Sequence, residues 1–194
     1  DLRSRLLEAA ERLFAEQGYS ATSVRAVADA AAVNPALVHY YFGDKHGLLE
    51  AVLEQALEPM TEALQELIHG PEPSAVGVLH LLHRLGREHP NLPLLLVREA
   101  LLPGGAARET FEARFAPRLG GRLPELLSQA KAEGRIHETA DPEALTALIL
   151  AMGVFPFIAA DLLKRVIGLD LSGDDRERLV MQAERLLMSG VVVP

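Results

Sequence analysis

The stretch TSVRAVADAAAVNPALVHYYFGDK, from Thr22 to Lys45, decides how this chain is read. Thr22 is a good helix N-cap, because its hydroxyl can satisfy one of the first unpaired backbone N–H groups. Val24, Val27, Ala28 and Ala31 then place an apolar stripe on one face at helical spacing. Asn34 followed by Pro35 restarts the chain as a helix, since Asn caps well and Pro at the first helical position gives up no bonded N–H. Val38, Tyr41 and Phe42 supply the second helix with an inward face. The small Ala28 lets the two helices cross closely. The spacing predicts a helix-turn-helix over about residues 22–41.

The outward set of the second helix is Pro35, Ala36, Leu37, His39 and Tyr40, and it holds no carboxylate. A helix that only meets water normally shows Glu and Lys there. Hydroxyls, an imidazole and small apolar groups suit a groove lined by phosphates, where Tyr and His bond phosphate oxygens and an apolar group meets a thymine methyl. The competing reading is a buried helix with a few satisfied polar tips. On the first reading Arg25 reaches base edges or phosphates from the preceding helix, since a guanidinium pairs bidentately with guanine. Asn34, Ala36 and Leu37 stand at the groove-entering end and read bases or methyls. Thr22, His39, Tyr40, Tyr41 and Lys45 hold phosphates, with Tyr41 also competing for the inward face. Lys45 opens a further helix at the end where the dipole disfavours a cation. A nearby phosphate would reverse that sign, and the alternative is an ordinary solvated lysine.

Two segments, FAEQGYSATSVR (Phe14 to Arg25) and VNPALVHYYFGDK (Val33 to Lys45), resemble the TetR family of transcriptional regulators. The family pattern is a helix ending in Phe-x-x-x-Gly-Tyr, a Thr-x-Val-Arg helix start and an aromatic-rich recognition helix running into Tyr-Phe-x-x-Lys. The resemblance covers about the first quarter of the chain, with spacing and residue type agreeing over three successive helices. Two positions depart from it. Ala32 stands where the turn usually has Gly, which carries a cost if φ is positive there, and His39 replaces the commoner Tyr. The resemblance implies a homodimer in which the last two helices pair as a four-helix bundle. It also implies a small-molecule effector whose binding moves the fourth helix and changes the separation of the two reading heads. A near-palindromic double-stranded DNA operator independently requires two recognition helices about 34–36 Å apart.

With 194 residues and 49% apolar content, the chain can bury a core and is not disordered. It has no cysteine, which agrees with a reducing cytoplasm. Charged residues spread through Arg3, Arg5, Glu8, Glu11 and Arg12 interrupt any signal-peptide core. Because the chain begins at Asp1 and not at Met, an N-terminal arm is expected to precede it. The net charge of −8 argues against nucleic acid if taken alone. Between Gly18 and Gly47, however, Arg25 and Lys45 balance Asp29 and Asp44, and His39 and His46 remain. The acid excess lies elsewhere, and helix N-termini must supply part of the attraction to phosphate.

No strand alternation is visible, so the expected class is all-α, with about nine helices. A three-helix helix-turn-helix domain over 1–47 precedes a larger helical effector-binding and dimerisation domain over 48–194. Leu6, Ala10, Leu13 and Phe14 form the inward stripe of the first helix, which Gly18 ends. Asp44 caps a fourth helix that runs past Pro59 to about Ile68, before the Gly70-Pro71-Glu72-Pro73 break. Further helices are expected over Ser74 to Arg87, Asn91 to Leu102 and Thr110 to Glu133, the last interrupted around Pro117 to Gly121. Asp141-Pro142 caps the next helix, and Asp174 with Glu177 forms a capping box for the last. The uncharged run ALTALILAMGVFPFIAA, Ala144 to Ala160, falls short of the roughly 20 residues of a membrane span and contains Gly153 and Pro156. It reads as a core or subunit-interface helix.

Phe111, Phe115, Phe155 and Phe157 are candidate pocket walls with Met152 as adaptable filler and Arg98 as anchor, a lining suited to an apolar or aromatic effector. Each is equally readable as a plain core or dimer residue. His80-x-x-His83 puts two imidazoles on one helix face, but a third ligand at convincing spacing is missing and no metal or cofactor is expected. No Gly-rich phosphate loop, nucleophile elbow or His-Glu-x-x-His run occurs, so no enzyme is indicated. The function expected is a ligand-responsive DNA-binding regulator, most simply a repressor released by its effector. The alternative is a helical adaptor or enzyme on the same fold without DNA binding.

Overall fold

The computed structural model describes residues 1–70 and 74–191, and among these the regular structure is helical with no strand. The helices are α1 (Leu2–Gln17), α2 (Val24–Ala30), α3 (Ala36–Phe42), α4 (Lys45–His69), α5 (Ala75–Glu88), α6 (Leu92–Leu96), α7 (Arg108–Thr110), α8 (Ala116–Leu119), α9 (Leu123–Ala132), α10 (Pro142–Ile158), α11 (Ala160–Ile167) and α12 (Asp175–Gly190). Wider π-type turns follow α6 at Val97–Leu101 and α7 at Phe111–Phe115. The break expected at Pro71-Glu72-Pro73 lies outside the described residues. Two compact units form, Asp1–Pro59 with His89–Phe115, and Met60–Glu88 with Ala116–Pro194. The first unit thus draws in a segment distant in sequence, so it is larger than the 1–47 division drawn from motifs.

In the first unit, α1 packs on α2 and α6. Leu6, Ala10, Leu13 and Phe14 are all buried, as the helical stripe requires. Gly18 ends α1 with φ 88°, and its N–H bonds the Phe14 carbonyl. Arg98 donates to the Ala15 and Glu16 carbonyls at 2.9 and 3.0 Å, satisfying the carbonyl end of α1. The neighbouring Glu99 is 9% exposed and accepts from the Tyr19 and Ala106 amides at 2.9 and 3.2 Å. Arg98, expected as a pocket anchor, thus serves as a helix-end tie through its Nη1 donors.

In the second unit, α5 packs against α10 and α12, and α10 against α9. Leu79, Leu82, Leu126, Leu127, Ile149 and Leu187 lie in one buried cluster. The α5–α10 crossing depends on two glycines. A Cβ on Gly153 would collide with Leu82, and one on Gly86 would collide with the Phe157 ring. Asp141 caps α10 as expected, accepting from the Ala144 amide at 2.8 Å. Asp174 does not form the expected capping box: its side chain makes no cap bond to α12, and the neighbouring Asp175 instead accepts from the Asp170 amide.

The apolar run does not continue as one helix to Ala160, since α10 and α11 meet at an angle of 76°. No single helix among the described residues is long and apolar enough to cross a membrane. The six proposed effector contacts are divided between the units. Arg98, Phe111 and Phe115 belong to the first and Met152, Phe155 and Phe157 to the second, with Phe115 fully buried and Phe155 57% exposed.

Candidate nucleic-acid interface

The α2–turn–α3 segment forms as the motif predicts, with its cap displaced by one residue. Ser23, not Thr22, caps α2, its hydroxyl accepting from the Ala26 amide at 3.0 Å. Thr22 is 1% exposed and donates its hydroxyl towards the Gly18 carbonyl at 2.8 Å and the Leu13 carbonyl at 3.2 Å. It closes the α1–α2 corner and presents nothing to a phosphate. Val27, Ala28, Ala31 and Val38 are buried, so the apolar stripe holds the pair on the unit's core. Asn34 accepts from the Ala36 amide at 2.8 Å and so starts α3 from the side chain, as its sequence position implies.

The outward face of α3 is open. Ala36 and His39 are exposed, Leu37 is half-buried, and Tyr40 is 79% exposed. Tyr41 was expected to face inward in part, yet it is also exposed and lies edge-on to Tyr40 at 5.0 Å. Two phenols therefore stand side by side on this helix. His39 Nδ1 lies 2.9 Å from the Gly43 carbonyl. A carbonyl accepts only, so this contact places the ring proton on Nδ1 in the neutral imidazole and leaves Nε2 as an acceptor. Neutral His39 thus suits a base amino group, and only its protonated form would donate to a phosphate.

Arg25 is exposed on α2 and lies 3.8 Å from Asp29, an i,i+4 pair in open solvent. Such a pair is worth about 0.3–0.5 kcal/mol, so it does not immobilise the guanidinium. Lys45 is more firmly engaged. Its ammonium donates to the Tyr19 and Thr22 carbonyls at 2.9 and 3.0 Å and sits 4.1 Å from the Tyr19 ring centre. Two of its three donors are used inside the head, which makes Lys45 a brace for the α1–α2 corner instead of a free clamp. Asp44 accepts from the Gly47 amide at 2.8 Å, and this bond above all holds its carboxyl below the usual carboxylate range. The N-terminus of α4 already has an anion, so a phosphate is not needed there to offset its dipole.

Arg3 and Arg5 were not among the expected contacts. The Arg3 guanidinium lies 5.5 Å from the Phe42 ring centre, and Arg5 donates to the Ala32 carbonyl at 3.4 Å. Both positive charges are thereby brought to the turn and to the end of α3. The trace in sequence is Arg-x-Arg in the opening turn of α1, whose direction only the packing of α1 on the helix pair reveals.

Residues 6–52 match the family model described as bacterial regulatory proteins, tetR family. The repressor Rv3405c of Mycobacterium tuberculosis, described as an HTH-type transcriptional repressor, is 31% identical over 176 residues, covering 90% of this chain and 82% of that protein. The HTH-type transcriptional regulator HbdR of Aromatoleum sp. is 35% identical over 68 residues, a match spanning 35% of this chain and 30% of the relative's length. In three dimensions the chain is similar to the ketosteroid transcriptional regulator KstR2 of Mycobacterium tuberculosis, with a TM-score of 0.77 and 17% identity over 100% of this chain and 96% of that one.

Proposed function

The chain belongs to the tetR family of bacterial regulatory proteins, and from that premise we propose that it binds a double-stranded DNA operator as a homodimer and leaves it when a small-molecule effector binds. The observation that carries the DNA role is the open, acid-free face of α3, with Tyr40 at 79% exposure and Tyr41 edge-on beside it. Leu37 and Ala36 enter the groove and read methyl groups, while Arg25 and Asn34 meet base edges or adjacent phosphates. Tyr40 and Tyr41 bond phosphates, and Arg3 and Arg5 add charge beside them. Lys45 and Thr22 act from behind, by keeping the corner that aims α3. The operator is met in the cytoplasm, where the chromosome lies.

Dimerisation rests on apolar surface that the second unit leaves exposed. Leu148, Phe155, Leu186 and Met188 are 51–66% exposed on α10 and α12. Exposed apolar side chains of this size, where they gather into a patch, mark an interaction site. The effector acts by binding the DNA-incompetent arrangement more tightly, and by linkage DNA weakens the effector to the same degree. Selection of a duplex from a random pool, followed by gel retardation, tests the proposal. Retardation is expected and is lost when Arg25→Ala and Tyr40→Ala are combined. Failure to enrich any duplex would remove the DNA role.

A further inference from the structure

His83 is 5% exposed, and neither ring nitrogen has a partner in good hydrogen-bond geometry among the described residues, the Met152 backbone acting on the ring only weakly. Buried polar groups are normally matched, and one left unmatched calls for a physical cause such as a ligand. The ring stands edge-on to Phe157 at 5.4 Å on one side and borders a cleft of about 450 Å³ between α5 and α12 on the other. That volume falls in the range of small-molecule sites. Val180 and the half-exposed Met181 give the cleft an apolar wall. Arg84 lines it as well, exposed and without an ion-pair or hydrogen-bond partner among the described residues.

We propose that this cleft binds a small organic monocarboxylate, whose oxygens are received by His83 and Arg84 and whose apolar body lies on Val180 and Met181. The proposal deepens the regulator reading, on which its role as the effector site rests. An acceptor oxygen answers both the unmatched imidazole N–H and the unpaired guanidinium. Glu177 and Glu184 line the same cleft, so a phosphate dianion would meet two carboxylates, whereas a monoanion is balanced by Arg84, Arg87 and Arg176. Arg176 already gives two donors to the Leu171 carbonyl, and His80 is turned to Glu184 at 3.4 Å, which leaves His83 and Arg84 for the ligand. Both His83 nitrogens are closed off from solvent in this conformation. Ligand binding on this proposal therefore requires the ring to turn about χ2, a torsion that is broad for histidine.

Binding should take up a proton. Burial above all holds His83 below the ordinary histidine value, with His80 and Arg176 adding to the effect and the Met152 backbone opposing it. The cleft beside the ring is lined by His80, Arg84 and Arg87 on α5 and by Arg176, Glu177 and Glu184 on α12, while α10 contributes the uncharged Phe157 and the Met152 backbone. An anion placed against the neutral ring favours its protonated form, so affinity rises as the pH falls towards the histidine range.

The test is calorimetric titration of the protein with 3-phenylpropionate, and with 3-phenylpropan-1-ol as the uncharged match. The acid is expected to bind and the alcohol to bind at least about tenfold more weakly, as is fitting for a charge-assisted hydrogen bond. Arg84→Ala, at an exposed position that leaves folding intact, and His83→Gln are each expected to cost about tenfold. Titrations in buffers of different ionisation enthalpy should show proton uptake that His83→Gln abolishes. Equal affinity for acid and alcohol, or binding indifferent to both substitutions, would overturn the site. Gel retardation on the selected duplex with the same preparation separates the two ideas. DNA binding without acid binding removes this site alone, and acid binding without DNA binding removes the regulator reading and keeps the site.

Discussion

Ala32 occupies the turn between α2 and α3 with φ 51°, a left-handed conformation that costs a residue bearing a Cβ about 1–2 kcal/mol. Its sequence position raised that cost as a condition, and the backbone meets the condition. Ala32→Gly is expected to raise the free energy of unfolding by about 1 kcal/mol in urea titrations, with α3 still presented outward. A lower midpoint at unchanged slope would show the strain to be absent. Lys45→Ala should weaken binding to every duplex alike and lower the unfolding midpoint as well, since its ammonium ties two carbonyls of the α1–α2 corner. Leu37→Ala should alter sequence preference with little change in salt slope. An unchanged unfolding midpoint for Lys45→Ala, or a uniform loss across all duplexes for Leu37→Ala, would show that division of labour to be wrong. His83 makes the fold sensitive to acid. Its pKa is lowered in the folded chain, so the unfolded chain takes up the proton first and stability declines as the pH falls below the ordinary value of 6.5. His83→Leu removes the unmatched nitrogens and should flatten that decline in urea titrations at neutral and mildly acidic pH.

Among the elements, α10 and α12 offer a controlled pair. Both begin after an aspartate, yet only Asp141 bonds its helix. Asp141→Ala is expected to cost about 1 kcal/mol, as removal of a working N-cap does. Asp174→Ala should stay within about 0.5 kcal/mol, the usual range for surface changes. Comparable losses in thermal melts would mean that Asp174 caps α12 in solution. The short helices α2 and α3, seven residues each, are below the length at which isolated helices persist. Their caps, Ser23 and Asn34, define where they start. Their burial through Val27, Ala28 and Val38 is what keeps them folded.

At the scale of the whole molecule, the proposed dimer ties DNA affinity to a surface distant in sequence from α3. Leu148→Glu with Phe155→Glu puts charges on the exposed face of α10 without touching its buried residues. Sedimentation should show monomers and gel retardation should weaken sharply, because a single head loses the second half-site. Weak binding by an intact dimer would place the interface elsewhere. The formal charge of −8 opposes non-specific attraction to DNA, so the local charge from Arg3, Arg5 and Arg25 matters more than the total.

Helical periodicity, the caps at Asp44 and Asp141, and the Thr22–Lys45 motif were legible in the chain alone, because they depend on neighbours within a turn or two. The family and the open face of α3 follow from the same local chemistry. Which polar groups remained available could be decided only by residues brought together from far along the chain. Thr22 and Lys45 carry the residue types of phosphate ligands, yet backbone carbonyls of the α1–α2 corner claim their donors. Arg98 looked like a pocket anchor and instead closes α1, some eighty positions earlier. His83 was half of a histidine pair lacking a third metal ligand, and packing buried it with neither nitrogen well matched among the described residues. A side chain's type is written in sequence, but its hydrogen bonds are allotted by whatever acceptor the fold places nearest, and that allotment separates a contact with DNA from a brace.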